Sequence, residues 1–330
     1  SAPELGATPG GTLSKLSGWE IKVGAGRSHR VAESLLSASE KPCYLLERPQ
    51  GASDILLVCE HASRTLPAAL DGLGLSAQTQ LSHAAWDIGA LALSQRLSER
   101  LDAPLIHQRY SRLVYDCNRP PDAPDAMPAR SEIHQIPGNL NLTAAEKTAR
   151  VTDIYLPFSQ GIGEFLDQRL AAGRRPWLVT IHSFTPIYHG RRRDKELGVL
   201  FGTDARLGQA LLRAAAGMAG TSYAANYPYS ARDGVLHTLE RHAKPRGLLN
   251  VMLEIRNDLL RTAEGQDLWA DRLSALFGQL GRRLDSQARD RRDRGGGDDR
   301  GGGNNRGGGG DRGAAENSPA TAPLHLASRQ

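Results

Sequence analysis

Short, nearly continuous apolar runs punctuate the middle of the chain: "DILLVCE" (54–60), "APLIHQ" (103–108), "RLVYDC" (112–117), "WLVTIHS" (177–183), "LGVLFG" (197–202) and "LNVMLEI" (249–255). They are rich in aliphatic and β-branched side chains and are bounded by Pro, Gly or Asp, which predicts strands. They lack a regular polar alternation, so the predicted strands are covered on both faces, as in a largely parallel sheet. Between them apolar positions recur at helical spacing over 87–101, 143–170, 205–219 and 267–284. Pro157 is expected to break the second of these helices. The alternation predicts an α/β fold, a three-layer α/β/α domain around a mixed, largely parallel central sheet.

The two ends differ from this middle. Residues 1–40 are rich in Gly, Ser and Ala with weak periodicity and are expected to form a mostly unstructured extension, with a short helix at "RVAESLLSASE". Residues 286–330, with their RGGG repeats, have almost no large apolar side chain and are expected to form a disordered tail. One folded domain over 41–285 remains, long enough for a single large core.

Charge and cysteine usage narrow the setting. The net charge of +5 arises from 41 basic and 36 acidic residues spread along the chain, a balance that implies solubility more than a polyanionic partner. In the tail, Arg294, Arg300, Arg306 and Arg312 precede glycines, as in RNA-binding segments. The interleaved Asp293, Asp298, Asp299 and Asp311 and the lack of aromatic residues argue against nucleic acid as a partner. Cys43, Cys59 and Cys117 show no paired spacing and read as buried thiols in a reducing compartment. With no secretory pattern and no apolar stretch of membrane-spanning length, the expected location is the cytoplasm.

The strand ends carry the chemistry. His61 follows the first strand, Asn118 and Arg119 follow "RLVYDC", His182 lies at the end of "WLVTI" and Glu254 ends "NVML". In sheets of this kind ligands bind beyond the carboxyl ends of the strands. Two histidines and a carboxylate leave a zinc ion with an open position for a reactive water, and a separate glutamate can relay its proton. There is no HExxH, and the third residue after His61 is Arg64, so the carboxylate ligand must come from elsewhere. Asp87, at the start of the next helix, is placed for it and equally for an N-cap. Taken singly, each residue has an ordinary structural role: a cap, a hydrogen-bonded core histidine, a paired strand glutamate. Their joint arrangement is what suggests a metal site.

The segments "LLVCEHASRTLP", "HAAWDIGA", "YSRLVYDCNRP", "IPGN", "IHSFTP", "NYPYS", "RHAKPRGLLNVMLEIRNDLL" and "WADRL" occur in an order that resembles the N-formylglutamate amidohydrolase family over residues 53–280. The resemblance implies a fold similar to zinc carboxypeptidases and aspartoacylase, with one zinc at the carboxyl edge of the sheet. It also implies cleavage of an N-acyl amino acid, with N-formylglutamate giving glutamate and formate. A different N-acyl amino acid as substrate, or a catalytically silent metabolite binder, are the alternatives. Carried over residue by residue, His61 and His182 match the imidazole ligands, Asp87 the carboxylate ligand with Glu60 as competitor, and Glu254 the general base. Asn118 and Arg119 resemble the pair that holds the substrate carboxylate, with Arg112 and the "GRRRDK" cluster as further cations. Two segments depart from the family pattern: "RRRDKELGVL" stands where Arg-Pro-Trp-His is usual, and Ser159 in "YLPFSQ" stands where a histidine is common.

Overall fold

The computed structural model of the protein describes residues 34–218 and 220–295, with side chains described to residue 282. The chain divides into two compact units, one ending at Leu280 and one beginning at Gly281. Its strands are β1 (Tyr44–Glu47), β2 (Ile55–Cys59), β3 (Leu105–Gln108), β4 (Arg130–Ser131), β5 (His134–Gln135), β6 (Trp177–Phe184), β7 (Ile187–Tyr188), β8 (Arg191–Arg192), β9 (Leu197–Leu200), β10 (Tyr223–Ala225) and β11 (Asn250–Arg256). Its α-helices are α1 (Ala77–Leu81), α2 (Ala90–Leu101), α3 (Ala144–Arg150), α4 (Leu156–Ala171), α5 (Arg206–Ala215) and α6 (Ala263–Gly295).

Seven strands form one sheet in the order β1-β3-β2-β6-β11-β9-β10, and β4-β5 and β7-β8 are separate two-stranded ribbons. β3, β2, β6 and β11 are mutually parallel, so their carboxyl ends share one edge. β1 joins antiparallel, and β9 pairs antiparallel with β11 while β10 runs parallel to β9. The predicted three-layer arrangement with a mixed, largely parallel sheet is what forms. On one face Leu57, Val179, Val251 and Leu253 pack against Leu93 and Leu97 of α2, Leu207 and Leu211 of α5, and Trp269, Leu273 and Phe277 of α6. On the other face Leu56, Val58, Leu178 and Met252 pack against Phe158, Ile162 and Leu166 of α4 and against Leu113, Val114 and Tyr115.

That last segment departs from the expectation. "RLVYDC" is not a strand; it is a buried chain of turns, closed by Val114 N–H to Ser111 O at 2.9 Å, Asp116 N–H to Ala126 O at 2.8 Å and Arg119 N–H to Asp116 O at 2.9 Å. Its apolar side chains fill a core as strand residues would, but its backbone finds its hydrogen bonds locally, and burial pattern alone does not distinguish the two. β1, β10 and the two ribbons are four residues or shorter, too brief for a periodic signal.

Pro157 does not separate two helices. α3 passes into α4 through one wide turn, Val151–Tyr155, in which Leu156 N–H reaches back to Val151 O. The proline has no N–H to give to residue 153, and a turn of five-residue spacing absorbs the missing bond. Among the described residues before 41, the turn Ala38–Glu40 stands within the segment of the expected short helix, and Leu35 and Leu36 are buried. α6 runs on to Gly295; the rest of the expected extension and tail lie outside the described residues.

Candidate metal centre and active-site cavity

β2 carries the chain straight to the carboxyl edge, where Glu60 and His61 follow its last residue. The loop after it returns so that Asp87 N–H donates to His61 O at 2.9 Å. Gly89 follows as the N-cap of α2, with φ +81°, and a Cβ there would lie 2.7 Å from Leu260 O. Asp87 is therefore not the helix cap. Its carboxylate turns inward, where Oδ2 accepts from Ser183 N–H at 3.2 Å, while Ser183 Oγ donates to Ile88 O at 2.8 Å. The two bonds tie the end of β6 to the start of α2.

Three donor atoms converge. Asp87 Oδ2 lies 2.9 Å from His182 Nδ1 and 3.4 Å from His61 Nδ1, and the two Nδ1 atoms are 3.2 Å apart. Ligands about 2.0–2.1 Å from a tetrahedral zinc are roughly 3.3 Å from one another. The spacing of these three buried atoms fits one ion, and Glu254, His61 and His182 border the same cavity.

Each imidazole also has its outer nitrogen facing an acid. His61 Nε2 lies 2.7 Å from Asp116 Oδ1, and His182 Nε2 lies 3.1 Å from Glu60 Oε2, within ion-pair distance though off line for a hydrogen bond. Glu60 and Asp87 thus take different places: Asp87 is in the triad, and Glu60 stands behind His182. Outer acids of this kind fix ring orientation and leave the inner nitrogen's lone pair for a ligand. Asp116 lies within the quoted "YDCNRP", yet nothing in the sequence singled it out. It accepts from Asn118 N–H at 2.9 Å, and Arg112 joins it to Asp87, with Nη2 2.8 Å from Asp116 Oδ2 and Nη1 3.4 Å from Asp87 Oδ1.

The buried carboxyls at this point are shifted in opposite directions. Burial alone would push Asp87 up, but His61 and His182 outweigh it and hold the carboxyl far below its usual range. Glu254 differs: burial, opposed by His182 and reinforced by Asp87, pushes it up to about 7. One of its oxygens, Oε2, is buried without a hydrogen-bond partner. It sits opposite His182 on β6 and Gly198 on β9. A Cβ at residue 198 would overlap the Tyr227 carbonyl, so the glycine lets the segment leading to Tyr229 pass over the sheet.

The cavity has a volume of about 510 Å³. Arg112, Asn118 and Arg119 all line it, but their polar atoms are largely engaged. The Asn118 amide donates to Val235 O and accepts from Thr238 N–H at 3.0 Å. Arg119 donates to Asp125 Oδ2 at 2.7 Å and to Gly234 O at 3.0 Å. Of the two family departures, Ser159 lies off the cavity wall, whereas the 191–200 segment puts Arg193 on it and turns the rest away. Asp194 and Glu196 border a separate open depression, and Ser159 accepts from Arg241 Nε at 2.8 Å and lies 3.2 Å from His242 Nε2.

Comparison with known proteins is consistent with this geometry. The family model described as N-formylglutamate amidohydrolase matches residues 53–261. A crystal structure of a gene product from Agrobacterium tumefaciens superposes with a TM-score of 0.74 at 49% identity, covering 76% of this chain and 99% of that one. The N-formylglutamate amidohydrolase from Ralstonia eutropha shares the fold at 20% identity, with a TM-score of 0.55 and coverage of 74% and 98%. No curated protein matches in sequence. Fold, family match and site together define an amidohydrolase. The chain belongs to the N-formylglutamate amidohydrolase family.

Proposed function

We propose that this enzyme is a zinc-dependent hydrolase of N-formylglutamate that releases glutamate and formate. The observation that carries the reading is the convergence of His61 Nδ1, Asp87 Oδ2 and His182 Nδ1 beside a buried glutamate with an unpartnered oxygen. His61, Asp87 and His182 would hold the ion. When bound, it supplies Lewis acidity, which acidifies water and polarises an amide carbonyl.

The chain's own residues do the rest. Glu254 takes a proton from the water that attacks the formyl carbon and gives it to the leaving nitrogen as the C–N bond breaks. Arg112, Asn118 and Arg119 form the wall against which the amino-acid part rests, which makes the attack effectively intramolecular. Residues 41–285 are taken as the catalytic domain. Among the described residues no helix is long and apolar enough to cross a membrane, and all three cysteines are free and buried. Those thiols suit a reducing compartment, and we place the enzyme in the cytoplasm.

The test is a turnover panel of N-formyl and N-acetyl amino acids, with and without chelator, for the wild type and Glu254→Gln. N-formylglutamate should be turned over best, chelator should abolish it, and Glu254→Gln should keep its zinc while losing about 10²–10⁴-fold in kcat. Chelator-resistant turnover, or full turnover by Glu254→Gln, overturns the mechanism; a better N-acetyl substrate moves the reading to another acyl group.

A further inference from the structure

Four arginines line the cavity, and three are accounted for. Arg112 is shared between Asp87 and Asp116, Arg119 pairs with Asp125, and Arg130 is exposed and donates to Glu132 O. Arg193 is different. Among the described residues it has no carboxylate within ion-pair distance, and its side chain makes one hydrogen bond, Nη1 to the Tyr229 hydroxyl at 3.3 Å. Its guanidinium carbon lies 4.4 Å from the centre of the Tyr188 ring, 5.0 Å from that of Tyr229 and 5.8 Å from that of Phe184. Its backbone is anchored too, with N–H donating to Pro186 O at 2.8 Å.

Three aromatic rings attract a cation without neutralising it, and they restrict the guanidinium while leaving most of its N–H edge unused. A planar edge of this kind matches a carboxylate bidentately. The cavity needs such a group. Glu60, Asp87, Asp116 and Glu254 all lie in or behind its floor, and Arg112 and Arg119 are already matched by acids.

We propose that Arg193 binds a carboxylate of the substrate and so sets the preference for acidic N-acyl amino acids. This rests on the hydrolase reading above and goes beyond it by naming the specificity residue. Arg193 acts on binding, so its effect belongs in KM and in substrate ratios more than in kcat.

The experiment compares N-formylglutamate with its α-amide and its γ-amide, for wild type, Arg193→Gln and Arg193→Lys, each checked for zinc content and melting temperature. Wild type should prefer the diacid to at least one monoamide by about ten- to a hundredfold in kcat/KM, the range of a charge-assisted hydrogen bond. Arg193→Gln should bring that ratio close to one, and Arg193→Lys should restore part of it. An unchanged ratio for both monoamides in Arg193→Gln overturns the proposal. If wild type turns over none of them, the hydrolase reading fails on its own, and calorimetric titration with glutarate still decides on Arg193. Binding at least tenfold tighter to wild type than to Arg193→Gln supports the assignment; equal binding, or none to wild type, overturns it.

Discussion

In the triad each imidazole works through both of its nitrogens, and the outer contacts decide how the inner ones are aimed. Asp116 is the best connected of the outer acids, facing His61, Arg112 and the backbone N–H of Asn118 together. Asp116→Asn keeps the shape but removes the charge, and zinc affinity should fall about 10–100-fold in a chelator competition. Unchanged affinity would show that His61 needs no such support. His61, His182 and Glu254 were legible in the sequence because each follows or ends an apolar run, where a buried polar group needs a reason. Asp116 was not, and Arg193 was only as one member of the "GRRRDK" cluster. The contact of Asp116 depends on how the turns of 110–119 fold, and Arg193 stands in a row of three arginines that only the aromatic rings around it set apart.

Among the elements, the strands that build the carboxyl edge were readable because four to eight consecutive apolar residues leave few alternatives. The 112–117 turns were not, since a buried irregular segment carries the same apolar content as a strand. The junction from residue 87 to residue 90 is the element-level feature on which the site depends most. Gly89 combines a left-handed φ with close packing on Leu260. Gly89→Ala should therefore cost about 2–4 kcal/mol, measured by urea denaturation, from backbone strain and overpacking together. A loss under about 0.5 kcal/mol would mean that the junction can shift without harm.

For the whole molecule, pH should act through buried neutral histidines away from the triad. Burial, reinforced by the charges of Arg241 and Arg246, pushes His242 down to about 3. It stays neutral in the fold while the unfolded chain binds a proton below about 6.5, so its contribution is complete above about 6.5 and is lost as pH falls toward 3. Between pH 7 and pH 5 this amounts to about 2 kcal/mol. His242→Gln should flatten the stability profile by that amount in urea titrations at the two pH values; parallel profiles would exclude His242 as the source. The sheet has a wider consequence. In β2, β6 and β11 the odd-numbered residues 55, 57, 59, 179, 181, 251, 253 and 255 belong to the core under α2, α5 and α6, whereas the even-numbered 182 and 254 face the cavity. Heredity can therefore act on the two sets separately: a lineage can change the even positions near the strand ends for a new substrate while the odd ones keep the other layer packed. A saturation scan of these strands that reads abundance and turnover separately should show two alternating patterns of tolerance, one residue out of phase.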